Sequence, residues 1–155
     1  MISVLFVCLG NICRSPMAEA VFRNKVACAG LDAEITTDSA GTGDWHIGKD
    51  PHEGTRRMLD LNKISYEGMK ARQVTSGDFE VFDYMVCMDN SNLSNLRDIP
   101  GGEDATIIKF MDLLPGHDLQ EVPDPYFTGN FEQVYELMNT GCEALLDIIR
   151  TEKLK

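Results

Sequence analysis

Residues 4–16, Val-Leu-Phe-Val-Cys-Leu-Gly-Asn-Ile-Cys-Arg-Ser-Pro, leave this chain few folds to choose from. Val4 to Val7 is an unbroken apolar run. A strand that does not alternate is covered on both faces, and such strands belong to parallel sheets wrapped by helices. The run stops at Cys8, a short loop carries Gly10 and Asn11, and Arg14-Ser15-Pro16 opens a helix. Strand, loop and helix N-terminus in that order form an anion cradle. The loop, Leu9, Gly10, Asn11, Ile12 and Cys13, can aim successive backbone N–H groups inward as a nest. The helix end and Arg14 both favour a thiolate at Cys8. The planar fork of Arg14 can grip two oxyanions. A phosphate held there rests on the sulfur, and the pattern points to a cysteine-dependent phosphatase.

Further along, Glu34–Ser39, Asp83–Met88 and Thr106–Ile108 read as strands, with Val4–Cys8 the first of four. Between them lie helical stretches: one from Ser15 to Gly30, one over Glu53 to Asn62, and short ones at Gly77–Phe82 and Ser91–Arg97. The last is a long helix whose stripe includes Phe131, Val134, Met138, Cys142, Leu145 and Ile149. Strands alternating with helices predict an α/β fold, a doubly wound four-stranded parallel sheet flanked by helices on both faces. With 155 residues, one domain over 1–155 is expected. Ligands in such sheets sit beyond the carboxyl ends of the strands, and Cys8, Ser39 and Asp89 fall at or just after such ends. Two long irregular segments remain, Ala40–His52 and Leu113–Asn130, and loops of that length are often functional.

Composition narrows the partners. Formal net charge is −11, which argues against nucleic acid and anionic membranes. No apolar run approaches the ~20 residues of a membrane span. Five cysteines, widely spread, suit a reducing compartment better than a disulfide framework. The start, Met1-Ile2-Ser3-Val4, lacks a signal peptide's basic region, so a cytoplasmic location is expected. Cys8, Cys13, His46 and His52 match no zinc spacing, and neither metal nor cofactor is expected.

Cleaving a phosphate ester also requires a proton donor for the leaving oxygen. Asp124, in Val-Pro-Asp-Pro-Tyr, is the candidate, because Pro123 and Pro125 stiffen its loop; an ordinary Asp-Pro turn is the plainer reading. Ser15 suits the helix N-cap and, since a first-turn hydroxyl lies close to the loop, also a donor to the Cys8 sulfur; the two roles are compatible. Cys13 either packs or captures an oxidised Cys8 as a disulfide. Trp45 and Tyr126 either wall a slot for an aromatic ring or anchor their own loops. The stretch Gly43-Asp-Trp-His-Ile-Gly-Lys-Asp50 nearly spells a nucleotide-binding loop, but Asp50 stands where a magnesium-binding hydroxyl is needed.

The phosphate loop at Cys8–Pro16, Asp38-Ser39-Ala40-Gly41-Thr42 with Trp45-His46, Ala71-Arg72-Gln73, Met88-Asp89 and Asp124-Pro125-Tyr126 together resemble the low-molecular-weight protein tyrosine phosphatases of the bacterial cytosolic kind. The resemblance implies Cys8 as nucleophile, Arg14 as phosphate clamp and Asp124 as general acid, then base. It implies that Asn11, Ser15 and Ser39 support the loop by hydrogen bonds and that Asp89 orients Arg14. It further implies a phosphotyrosine protein or small aryl phosphate as substrate and inorganic phosphate as product. Three positions depart from the family pattern. Phe127 replaces the second of two tyrosines. Met69 stands where mammalian members carry a histidine linked to the loop asparagine. Ile12 stands where phosphoarginine phosphatases carry threonine.

Overall fold

The computed structural model describes residues 1–153. Four strands, β1 (Ile2–Cys8), β2 (Ile35–Gly41), β3 (Tyr84–Cys87) and β4 (Ile107–Lys109), form one parallel sheet in the order β2-β1-β3-β4. The helices are α1 (Arg14–Cys28), α2 (Glu53–Leu61), α3 (Asp78–Val81), α4 (Asn90–Arg97), α5 (Pro125–Thr128) and α6 (Phe131–Lys153). A 3-10 turn at Phe110–Leu113 follows β4. This is the doubly wound α/β architecture expected from the sequence.

The two faces of the sheet explain the unbroken apolar run. Val4, Phe6 and Cys8 join a core with α1, α2 and α6, built around Phe22, Met138 and Leu145. Leu5 and Val7 face the other way, onto Val74, Met85 and Leu96 of the α4 side. All four residues from Val4 to Val7 are fully buried, so no position in the run has a solvent side to favour a polar residue. Phe110 presses on α6 at Gly141, where a Cβ would come within 2.2 Å of its ring.

The winding positions the site. From β1 the chain passes through α1 to β2 on one side, then crosses to β3 on the other. The strand order therefore reverses between β1 and β3, and the crevice at such a switch point is where these sheets bind ligands. Cys8 ends β1 beside it. Asp89, just past β3, caps α4 by accepting from Asn92 N–H at 2.7 Å.

Most boundaries differ from the sequence reading by one or two residues, and three of the differences bear on the site. α1 begins at Arg14, so Ser15 lies in the first turn rather than at the cap, and Pro16 is its third residue. Its far end is as expected: Gly30 takes φ +73° and Leu31 N–H reaches Val26 C=O, a Schellman closure. β2 runs on to Gly41 because it stays paired with β1 as far as Cys8, and residues 72–74 pair on its other edge, Gly41 donating to Arg72 C=O and accepting from Val74 N–H. The second irregular segment holds the 3-10 turn's last residue and α5.

Candidate active site

The loop between β1 and α1 has its carbonyls turned outward. Thr42 and Gly43 N–H donate to Cys8 and Leu9 C=O, His52 N–H to Ile12 C=O, and the Thr55 hydroxyl to Cys13 C=O. In a planar trans peptide the next N–H points the opposite way. The amides of Leu9, Gly10, Cys13 and Arg14 therefore face the cleft. Asn11 N–H lies 3.3 Å from Cys8 Sγ. Close approach is built in: a Cβ at Gly10 would stand 2.9 Å from His46 Cδ2, and one at Gly41 would stand 2.7 Å from Leu9 C=O. Positive φ falls on Asn11 (57°), not on Gly10, and asparagine is among the few residues to tolerate it.

Both ends of the Asn11 side chain are held. Its Oδ1 accepts from Arg72 N–H at 2.9 Å, and its Nδ2 donates to Ser15 Oγ at 2.8 Å and Ser39 Oγ at 2.9 Å. The first bond fixes which end of the amide is nitrogen. The backbone of residue 72 thus supplies a link to the asparagine in a chain with Met69 in place of the family's histidine. Ser15 Oγ is 2.9 Å from Cys8 Sγ. Since Ser15 accepts from Asn11, its own proton is available to the sulfur.

Arg14 is buried among anions. Nη1 donates to Asp89 Oδ2 at 2.7 Å and to Val122 C=O at 3.0 Å, and Nη2 lies 3.5 Å from Asp124 Oδ2. Burial works against the guanidinium's charge, but Cys8, Asp89 and Asp124 outweigh it and raise its pKa. Asp89 serves two masters with two oxygens: one caps α4, the other aims Arg14. Cys13 is buried beside the loop; burial first, then the charges of Cys8 and Asp124, push its thiol up to about 12.

Asp124 arrives from the far end of the chain. It caps α5, accepting from Tyr126 N–H at 3.0 Å, with Pro125 as the first helical residue. Its loop is strapped at Val122, which donates to Met88 C=O and accepts from Arg14.

The cleft that results is lined by Cys8, Leu9, Gly10, Ile12, Cys13 and Arg14 below, and by His46, Asp124 and Tyr126 above. Trp45 departs from expectation. It is 66% exposed, lies against Gly43, and is not among the lining residues; His46, its neighbour, takes the wall instead. The His46 and Tyr126 ring centroids are 6.4 Å apart. Nothing in the sequence separated the two neighbours, because which of them turns inward depends on how the loop folds back over Gly10. The near-match to a nucleotide loop at 43–50 is a run of turns: Asp50 pairs with Lys70, and Lys49 Nζ lies 3.5 Å from His46 Nδ1.

A thiol, a buried guanidinium and a carboxylate thus gather over an amide nest at the switch point of a parallel α/β sheet. A family model described as low molecular weight phosphotyrosine protein phosphatase matches residues 3–155. The chain belongs to that family, and it is an enzyme of the protein-tyrosine-phosphatase type. It is 55% identical to the low molecular weight protein-tyrosine-phosphatase YfkJ of Bacillus subtilis over 154 residues, 99% of each chain. The crystal structure of YfkJ superposes with a TM-score of 0.96, covering 99% of this chain and 97% of that one. PtpA of Staphylococcus haemolyticus, another such phosphatase, is 41% identical over 96% of this chain and 94% of its own.

Proposed function

We propose that the protein hydrolyses phosphotyrosine in protein or small aryl phosphates through a phosphocysteine intermediate. The observation that carries this reading is the convergence of Cys8 Sγ, Arg14 and Asp124 on one cleft. The Cys8 thiolate attacks phosphorus opposite the leaving phenolic oxygen. The S–P bond forms, the P–O bond breaks, and Asp124 gives its proton to the departing oxygen. Loop N–H groups and Arg14 hold the equatorial oxygens. Phosphate seated on Nη2 takes that nitrogen away from Asp124 and frees the carboxyl to face the leaving group. Asp124 then takes a proton from water as it attacks phosphorus, the S–P bond breaks, and inorganic phosphate leaves. Arg14 and the amide nest supply the charge stabilisation that metal ions provide in other phosphatases, so the reaction needs no metal.

Ile12 and the ring of Tyr126 in the cleft support an aromatic phosphoester over phosphoarginine. Five free thiols support a cytoplasmic location, and among the described residues no helix is long and apolar enough to cross a membrane. The acidic charge supports a protein substrate rather than nucleic acid or a membrane surface. Phosphate release from phosphotyrosine, phosphoserine and phosphoarginine peptides without added metal tests the reading. Turnover of the first alone, lost in Cys8→Ser, is expected; turnover that survives Cys8→Ser sinks it.

A further inference from the structure

Glu19 is a carboxyl with no part in the mechanism above, yet it is 7% exposed. It stands on α1 and accepts from the Ser39 hydroxyl at 2.7 Å. From there one unbroken chain of hydrogen bonds runs to the nucleophile. Ser39 Oγ accepts from Asn11 Nδ2, the same nitrogen donates to Ser15 Oγ, and Ser15 Oγ meets Cys8 Sγ. With Cys8 as the thiolate of the proposed mechanism, the chain has an acceptor at each end, the carboxylate at one and the sulfur at the other. Asn11 feeds both branches, and its orientation is fixed by Arg72 N–H. With the Ser39 proton committed to Glu19, Ser39 presents only lone pairs to Asn11. Asn11 is then held with its second proton on Ser15, and Ser15 with its own proton on the sulfur.

We propose that Glu19 is a positioning residue of the phosphatase site, an anionic anchor that sets the strength of the Ser15 hydrogen bond to Cys8 according to its own protonation. The proposal rests on the phosphocysteine reading above. A charged carboxylate binds the Ser39 hydroxyl more tightly than a neutral carboxyl does, so the Ser39 lone pairs stay turned to Asn11 and the amide that donates to both serines is held in place. The groups facing Glu19 place its switching range. Burial raises its pKa to about 7, against the Ser39 hydrogen bond; Asp38 on β2 adds to the rise, while Arg23 on α1 and Arg72 oppose it. Neither cation pairs closely with it. Arg23 Nη1 is 4.0 Å from Oε2, and Arg72 is occupied by Asp38 and Asp78.

Glu19→Gln keeps the shape and an acceptor for Ser39 but removes the charge. With p-nitrophenyl phosphate as probe, kcat of the variant should match wild type at about pH 5.5 and fall roughly 5-fold below it at about pH 8, with KM unchanged, as a charge-assisted bond becomes neutral. Cys8 alkylation by iodoacetate should show the same divergence. In a Ser39→Ala background, which cuts the chain, Glu19→Gln should add nothing. A ratio to wild type that stays constant with pH, or a Glu19→Gln effect that persists without Ser39, overturns the proposal. Thermal unfolding of each variant separates loss of fold from loss of positioning. An active wild type, an inactive Cys8→Ser and an indistinguishable Glu19→Gln reject this inference alone. An inactive wild type, or an active Cys8→Ser, rejects the phosphocysteine reading and this inference with it.

Discussion

The two halves of the site are built in opposite ways. In the phosphate loop Cys8, Asn11, Arg14 and Ser15 are all buried, and each polar side chain has a partner. In the acid loop Tyr126 to Asn130 is exposed, and Asp124 reaches the cradle only through a 3.5 Å approach to Arg14. The difference follows the chemistry. The phosphate loop must present fixed dipoles to charge that develops in a known place, and any reorganisation there is lost rate. On the proposed mechanism, the acid loop must admit a phosphorylated side chain, meet its leaving oxygen and release the product. Pinning at Val122 and a proline on each side of Asp124 limit how far it strays while leaving its tip free.

The contrast makes the largest effect fall on the buried half. Cys8→Ser should leave no turnover above background, with the fold intact as read by circular dichroism, because serine at this position retains size and the hydrogen bond from Asn11. Measurable hydrolysis by that variant would mean that the cradle is not the reaction centre. Asp124→Ala, in the exposed half, should cost roughly 10²-fold in kcat with a smaller change in phosphate affinity. The loss should shrink for esters whose leaving groups depart without a proton. A uniform loss across leaving groups would assign Asp124 to binding instead of proton transfer.

The same contrast decides what could be read before the fold was known. The buried half is written in thirteen consecutive residues, so strand, loop, helix and the thiol between them were legible together. Asp124 was legible because prolines bracket it. The N-cap expected of Ser15 failed because α1 starts one residue before it, at Arg14. Nothing in the sequence singled out Glu19, since its partner Ser39 is 20 residues away and their meeting depends on α1 lying against β2. Arg72 likewise acts on Asn11 through its backbone, which leaves no mark on residue type. His46 and Trp45 were indistinguishable in kind, and loop curvature alone selects the one that faces the cleft.

Glu19 offers a measurement in which stability, not rate, sharpens the comparison. Its pKa is near 4.5 unfolded and about 7 folded. Between those values the native state holds a proton that the unfolded chain has released, so stability falls as pH rises through the window and is level above it. Relative to Glu19→Gln, the wild type should lose about 3 kcal/mol across that range, read by urea unfolding at a series of pH values. Parallel curves for the two proteins would show that Glu19 is not held as tightly as the rest of the buried half.

The smallest effects belong to the rim, where the exposed half meets the substrate ring. Tyr126→Leu should raise KM for p-nitrophenyl phosphate about 5-fold, the worth of one aromatic contact, with kcat little changed. His46→Ala should act in the same direction, since His46 forms the facing wall and closes over Gly10. Trp45→Ala should stay within about 2-fold, because an exposed ring that packs on its own loop contributes to neither binding nor chemistry. The test is sharp because Trp45 and His46 are adjacent in sequence: disorder of the whole loop would move both, whereas a wall formed by one ring moves only His46. A Trp45→Ala effect equal to that of Tyr126→Leu would mean that the loop from 42 to 50 closes further over bound substrate, and that the slot extends to the ring the sequence first suggested.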